Sequence, residues 1–155
     1  MYFSFQCAAF LTLFFVSFRP FCSFCTYWRG KDKSKYLAKS KWIAKVNNDR
    51  FNETGNFNET YRQNMISLNK YMVTYAEKDT TVQPPQSAWH TYWKWGDEKR
   101  QDVMQLEDTL PYIHDVLGLK TLNERGDFIR NSFDGAHVSY NMSWWNTVVL
   151  PMFDN

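Results

Sequence analysis

The sequence predicts an α/β fold, a mostly parallel sheet with helices laid over it. Three observations predict it. Short runs rich in β-branched and aromatic residues, Tyr71–Ala76 and Phe128–Phe133, are bounded by turn formers and read as strands. Between and after them, apolar residues recur at helical spacing behind residues that open helices, such as Thr109 with Pro111. Finally, 44% hydrophobic and 22% charged residues over 155 positions suit one globular domain and exclude a disordered chain.

In chain order, the short alternating run at residues 41–47 predicts a first strand. Residues 52–58, with Gly55 among Asn and Thr, predict a polar loop. Asn58-Glu59-Thr60 opens a helix, with Tyr61, Met65, Leu68 and Met72 near helical spacing. Tyr71–Ala76 follows as a buried strand, and Val82-Gln83-Pro84-Pro85-Gln86 breaks the chain after it. Residues 89–95 form a second aromatic run, either an edge strand or a bend. Pro111 starts a helix whose buried side is Ile113, Val116 and Leu117, and Gly118 ends it. Residues 119–124 make another short turn, and Arg125-Gly126 is a tight loop before strand Phe128–Phe133. Met142-Ser143 caps a last amphipathic helix bearing Trp144, Trp145, Val148, Val149 and Met152. Three or four strands are few for such a sheet, so the sequence reads as the tail of a larger fold.

The net charge of +2 is too small to make nucleic acid the main partner. It is also unevenly spread. Residues 29–50 hold eight basic and two acidic side chains, whereas residues 51–155 hold nine basic and fourteen acidic. The basic stretch reads as a solvated helical face ahead of a lipid or nucleic-acid site. A mean hydropathy of -0.55 with a single apolar run excludes a polytopic membrane protein. That run, residues 1–18, carries no charge and could contact a membrane. Residues 1–25 are read as a poor signal or anchor, or as a start foreign to the domain, and the domain is placed at 26–155.

All three cysteines, Cys7, Cys22 and Cys25, fall in that N-terminal segment. Cys22 and Cys25 form a CxxC with neither a second CxxC nor a His at metal-ligand spacing, so no metal site is expected. Three N-x-[ST] sequons, at Asn52, Asn58 and Asn141, exceed the count of about one expected by chance. They point to glycosylation and a secretory route.

Two positions carry chemistry. Asp79 falls just beyond the strand Tyr71–Ala76, and His137 just beyond the strand Phe128–Phe133. In open α/β sheets, functional side chains gather outside the carboxyl ends of the strands. Hydrolases of this class place an acid and then a His in that chain order, after their nucleophile. The imidazole takes the nucleophile's proton, and the carboxylate fixes its tautomer. The alternative at this level is an Asp that bonds its own turn and an ordinary loop His. His90 reads as a packed or exposed aromatic neighbour, and His114 as solvated.

Several stretches belong together: Tyr27-Trp28; Asn58-Glu59-Thr60-Tyr61; Asp79 with Val82, Pro84, Ser87 and Trp89 behind it; Leu106-Glu107; and Thr109-Leu110 followed by Tyr112. Asp115-Val116-Leu117-Gly118-Leu119-Lys120, Gly135-Ala136-His137 and the Trp-containing helix to Pro151-Met152-Phe153 complete the set. In these stretches and this order, the chain resembles the C-terminal part of the palmitoyl-protein thioesterases. Those are lysosomal α/β-hydrolases that remove long-chain acyl groups from S-acylated cysteines.

The resemblance implies a truncated α/β-hydrolase, the C-terminal part of a mostly parallel sheet with flanking helices. It implies Asp79 as triad acid, His137 as triad base and a glycosylated Asn58. It also implies S-acylated proteins as substrates, a lysosomal location and no cofactor. The family's nucleophile sits in a Gly-x-Ser-x-Gly elbow, and these 155 residues contain no such motif. The expectation is therefore a thioesterase by family that is inactive as this chain alone. A non-catalytic fragment and a membrane-anchored interaction protein are the alternatives.

Overall fold

The computed structural model describes residues 29, 30 and 32–153. The expectations for residues 1–25, the three cysteines included, lie outside them. The described chain mixes helices and strands around one parallel strand pair.

Helix α1 (Lys33–Lys39) starts at Asp32, whose side chain accepts from the Lys35 amide at 2.9 Å. The run at 41–47 forms no strand: its centre is helix α2 (Ile43–Val46), with turns on either side. The reason is that Ile43 and Ala44 are consecutive and both buried. A strand would send them to opposite faces, whereas a helical turn can keep both near one core. They join Tyr36 and Leu37 in a small core against Val46 and Trp95. There the Tyr36 hydroxyl donates to buried Asp49 at 2.6 Å, and the Arg29 guanidinium lies over the Tyr92 ring at 3.5 Å.

The loop expected at 52–58 begins as a helical turn, α3 (Phe51–Thr54), which Gly55 stops with φ of 67°. Helix α4 (Glu59–Ile66) opens where expected, with the Asn58 side chain accepting from Thr60 N and Tyr61 N. Met65 packs on the main core, while Leu68 lies beyond the helix and is exposed.

Strands β1 (Tyr71–Ala76) and β4 (Phe128–Phe133) pair in parallel, Tyr71 opposite Phe128 through Ala76 opposite Phe133. Between them, β2 (Tyr92–Trp93) and β3 (Val103–Met104) form a separate antiparallel pair. The expected sheet of three or four parallel strands is thus two strands among the described residues. Two causes reduce it: the run at 41–47 is a helix flanked by turns, and within the aromatic run Tyr92–Trp93 pairs antiparallel with β3 instead. β1 is only partly buried up to Tyr75.

Helices α5 (Leu110–Ile113) and α6 (Leu119–Glu124) cover the pair. Leu106, Tyr112, Leu117, Leu119, Leu122 and Phe128 form the main core, with Tyr71 and Val73 packed against it. Ile113, expected inside, is 49% exposed because α5 ends there and the chain turns before burying Val116 and Leu117.

Gly118 has φ of 81°, and a Cβ there would stand 2.6 Å from Ile66 Cγ1 on α4. No other residue fits that crossing. Asp115 locks the same corner. It accepts from Lys120 N at 2.9 Å, from the Thr121 hydroxyl at 2.5 Å and from Arg62 at 2.7 Å.

The last helical segment, α7, runs over Met142–Trp144 and continues as a π turn, Trp145–Val149, and a 3-10 turn, Leu150–Phe153. Its cap is Asn141, one residue earlier than expected, whose side chain accepts from Trp144 N at 2.8 Å. Trp144, Trp145, Val148, Val149 and Met152 are its less exposed residues, as the periodicity required.

Candidate functional site

Parallel pairing decides where the two chemical residues go. Both strands end at the same side of the sheet, and the ladder continues past them: Glu77 N donates to Phe133 O at 3.0 Å and Lys78 N to Gly135 O at 3.0 Å. The two loops are therefore zipped together before Asp79 and His137 are reached. The result is direct contact, His137 Nδ1 to Asp79 Oδ2 at 2.7 Å.

The other oxygen of Asp79 accepts from Thr81 N at 2.8 Å and Val82 N at 2.9 Å. The turn reading and the pairing reading of Asp79 are thus one structure, since each carboxylate oxygen serves one of them. Asp79 is 7% exposed, and its Gln83 neighbour donates to the Asp79 carbonyl at 2.6 Å. Burial opposes the charged carboxylate. The amides of Val82 and Thr81, with the His137 imidazole, outweigh burial and hold the group below the usual carboxylate range.

An ionised carboxylate only accepts, so Nδ1 carries the proton in this bond. Basicity is then directed to Nε2, the position a general base needs. The imidazole keeps about a third of its surface exposed, 32%, while its partner is enclosed.

The His137 loop is tightly built. A Cβ on Gly135 would meet the Phe133 ring and the Ser139 hydroxyl, each at 2.9 Å. Ser139 Oγ donates to Ala136 O at 2.8 Å, closing the turn around His137. Val138 has φ of 52°, a strained position for a β-branched residue directly after the imidazole. Phe133 anchors the loop to α7 through Tyr140 and Trp144. Gly135 was visible in the sequence, whereas nothing there marked Val138.

The other candidates lie elsewhere. His90 is buried at the opposite end of β1, with Nε2 at 2.9 Å from the Tyr71 hydroxyl, and burial pushes its pKa down to about 3. His114 is exposed and packs beside Phe51. Asn58 and Asn141 are exposed helix caps, and Asn52 lies within α3. Among the described residues, no three His, Cys, Asp or Glu side chains are grouped to hold a metal ion. No described helix is long and apolar enough to cross a membrane.

Comparison with known proteins places this geometry in context. A family described as "Palmitoyl protein thioesterase" matches residues 12–137, ending on the His of the pair. The chain is 34% identical over 103 residues to "Palmitoyl-protein thioesterase 3" of Dictyostelium discoideum, covering 66% of this chain and 34% of the relative. It is 30% identical over 113 residues to "Palmitoyl-protein thioesterase 1" of Caenorhabditis elegans, 72% of this chain and 36% of the relative. "Lysosomal thioesterase PPT2" of Homo sapiens matches at 26% over 133 residues, 83% of this chain and 42% of the relative. The chain therefore spans between a third and about two fifths of the length of these relatives. With the family match running through both loops of the pair, the chain belongs to the palmitoyl protein thioesterase family.

Proposed function

We propose that Asp79 and His137 are the acid and base of a Ser-His-Asp machinery that hydrolyses fatty-acyl thioesters on S-acylated proteins. The 2.7 Å contact between His137 Nδ1 and an enclosed, ionised Asp79 carries this reading. A serine attacks the thioester carbonyl while Nε2 of His137 takes its proton. The tetrahedral intermediate collapses, the C–S bond breaks, and His137 returns the proton to the departing thiol. Water then attacks the acyl-serine ester with His137 again as base; the serine C–O bond breaks, His137 returns the proton to the serine oxygen and the fatty acid leaves. Asp79 holds the imidazole and stabilises its cationic form throughout.

These residues would be the acid-and-base part of an α/β-hydrolase. A Gly-x-Ser-x-Gly elbow would supply the nucleophile from sequence other than these 155 residues. The 155-residue chain is accordingly expected to show no palmitoyl-thioester turnover above background. The name of the human relative and the sequons at Asn52, Asn58 and Asn141 support a lysosomal site reached by the secretory route, with those asparagines glycosylated.

The test is a chimera in which the matching residues of this chain replace their counterparts in the Dictyostelium relative. The chimera should hydrolyse a palmitoyl thioester, and His137→Ala should lower kcat by about 10⁴ or more. A folded His137→Ala chimera with undiminished turnover would contradict the assignment.

A further inference from the structure

Helices α1 and α2 bury Tyr36, Leu37, Ile43 and Ala44 and turn the rest of their surface outward. Lys35, Lys39, Lys41 and Lys45 are all exposed there, and Trp42 stands among them at 52% exposure. Residues 29–50 contain only two carboxylates to balance them. Asp32 is taken up by Lys35 at 3.4 Å, and Asp49 is buried under the Tyr36 hydroxyl and Arg29. Lys39, Lys41 and Lys45 have no ion pair among the described residues. Residues 51–155 are net acidic, so the excess of positive charge is concentrated in this stretch.

Concentrated lysine charge around an exposed indole suits a surface that is anionic at its headgroups and apolar just beneath. We propose that the α1–α2 face docks on anionic phospholipid bilayers, the lysines on headgroups and Trp42 at the interface. The charge complementarity is with the membrane and not with a groove-bound polyanion: Lys35 and Lys39 lie on α1, Lys45 on α2 and Lys41 in the turn between them, with the bulky Trp42 side chain next to Lys41.

The experiment is flotation of the 155-residue chain with vesicles of phosphatidylcholine, with or without phosphatidylserine. Lys39→Gln, Lys41→Gln and Lys45→Gln are combined in one variant. Its charge-matched control combines Lys70→Gln, Lys94→Gln and Lys99→Gln, so both keep residues 1–18 and the same net charge. Each interfacial lysine contributes roughly a fivefold gain in partition, so the first variant should bind anionic vesicles roughly a hundredfold more weakly. The control should bind like the parent, Trp42→Ser should weaken binding at unchanged charge, and added salt should release the chain. Equal binding by the two triple variants would overturn the proposal. So would equal binding to vesicles without phosphatidylserine, or capture of single-stranded RNA through these lysines without vesicle binding. No outcome depends on catalysis, so this surface and the hydrolase reading fail separately.

Discussion

The Asp79 carboxylate divides its two oxygens between its own turn and His137, so position and chemistry come from one side chain. The residue after the imidazole meets a different demand. Val138 holds φ of 52° while 72% exposed, so its side chain gains little packing to offset the left-handed backbone. Val138→Gly is expected to raise the unfolding free energy on the order of 0.5 kcal/mol, and a lowered thermal midpoint would contradict the strain. Gly118 is the opposite case. Its Cβ-free approach to Ile66 makes Gly118→Ala destabilising by about 3 kcal/mol, measurable by urea denaturation. At this scale the sequence was readable where a residue type is forced: Asp and His after strands, Gly in a Leu-Gly-Leu corner. Val138 was opaque because a left-handed valine follows from loop closure, which no local preference encodes.

Elements were legible where periodicity and punctuation agreed. Both parallel strands occupy the predicted residues, and Asn58 caps α4 through its side chain. Residues 41–47 misled because β-branched Ile43 and Val46 favour strands locally, while a turn of helix brings Ile43 and Ala44 together into one small core with Tyr36 and Leu37. Tertiary packing overrode propensity. The main core is expected to weigh most at Leu122, fully buried on α6 between the helices and β4. Leu122→Ala should cost about 3 kcal/mol, and a loss below about 1 kcal/mol would show that α6 is not bound into the core as described. The cap of α7 is a smaller test: Asn141→Ala should lower stability by about 1 kcal/mol through the lost bond to Trp144 N.

Across the whole molecule, acid is the condition that should separate native from unfolded most sharply. His90 is kept neutral by burial, with a pKa lowered from 6.5 to about 3. The unfolded chain therefore gains a proton below 6.5 that the folded chain refuses, and stability falls as pH drops towards 3. By linkage this amounts to about 2 kcal/mol at pH 5. His90→Asn, which tolerates the left-handed backbone there, should flatten that slope in denaturation series at pH 7 and pH 5. An unchanged slope would place the acid sensitivity elsewhere. Asp79 and Asp115 add a second, lower window. Their folded pKa values lie below the ordinary 3.8, so their contribution is full above that value and disappears beneath it. The parallel sheet, the two loops it aligns and the enclosed carboxylate underlie the central proposal, that Asp79 orients His137 for proton transfer. Asp79→Asn in the active chimera tests this most directly, because it preserves shape while offering Nδ1 a neutral amide. The expected result is a fall in kcat of about 10⁴ with KM little changed. A turnover number equal to that of the parent chimera would contradict it.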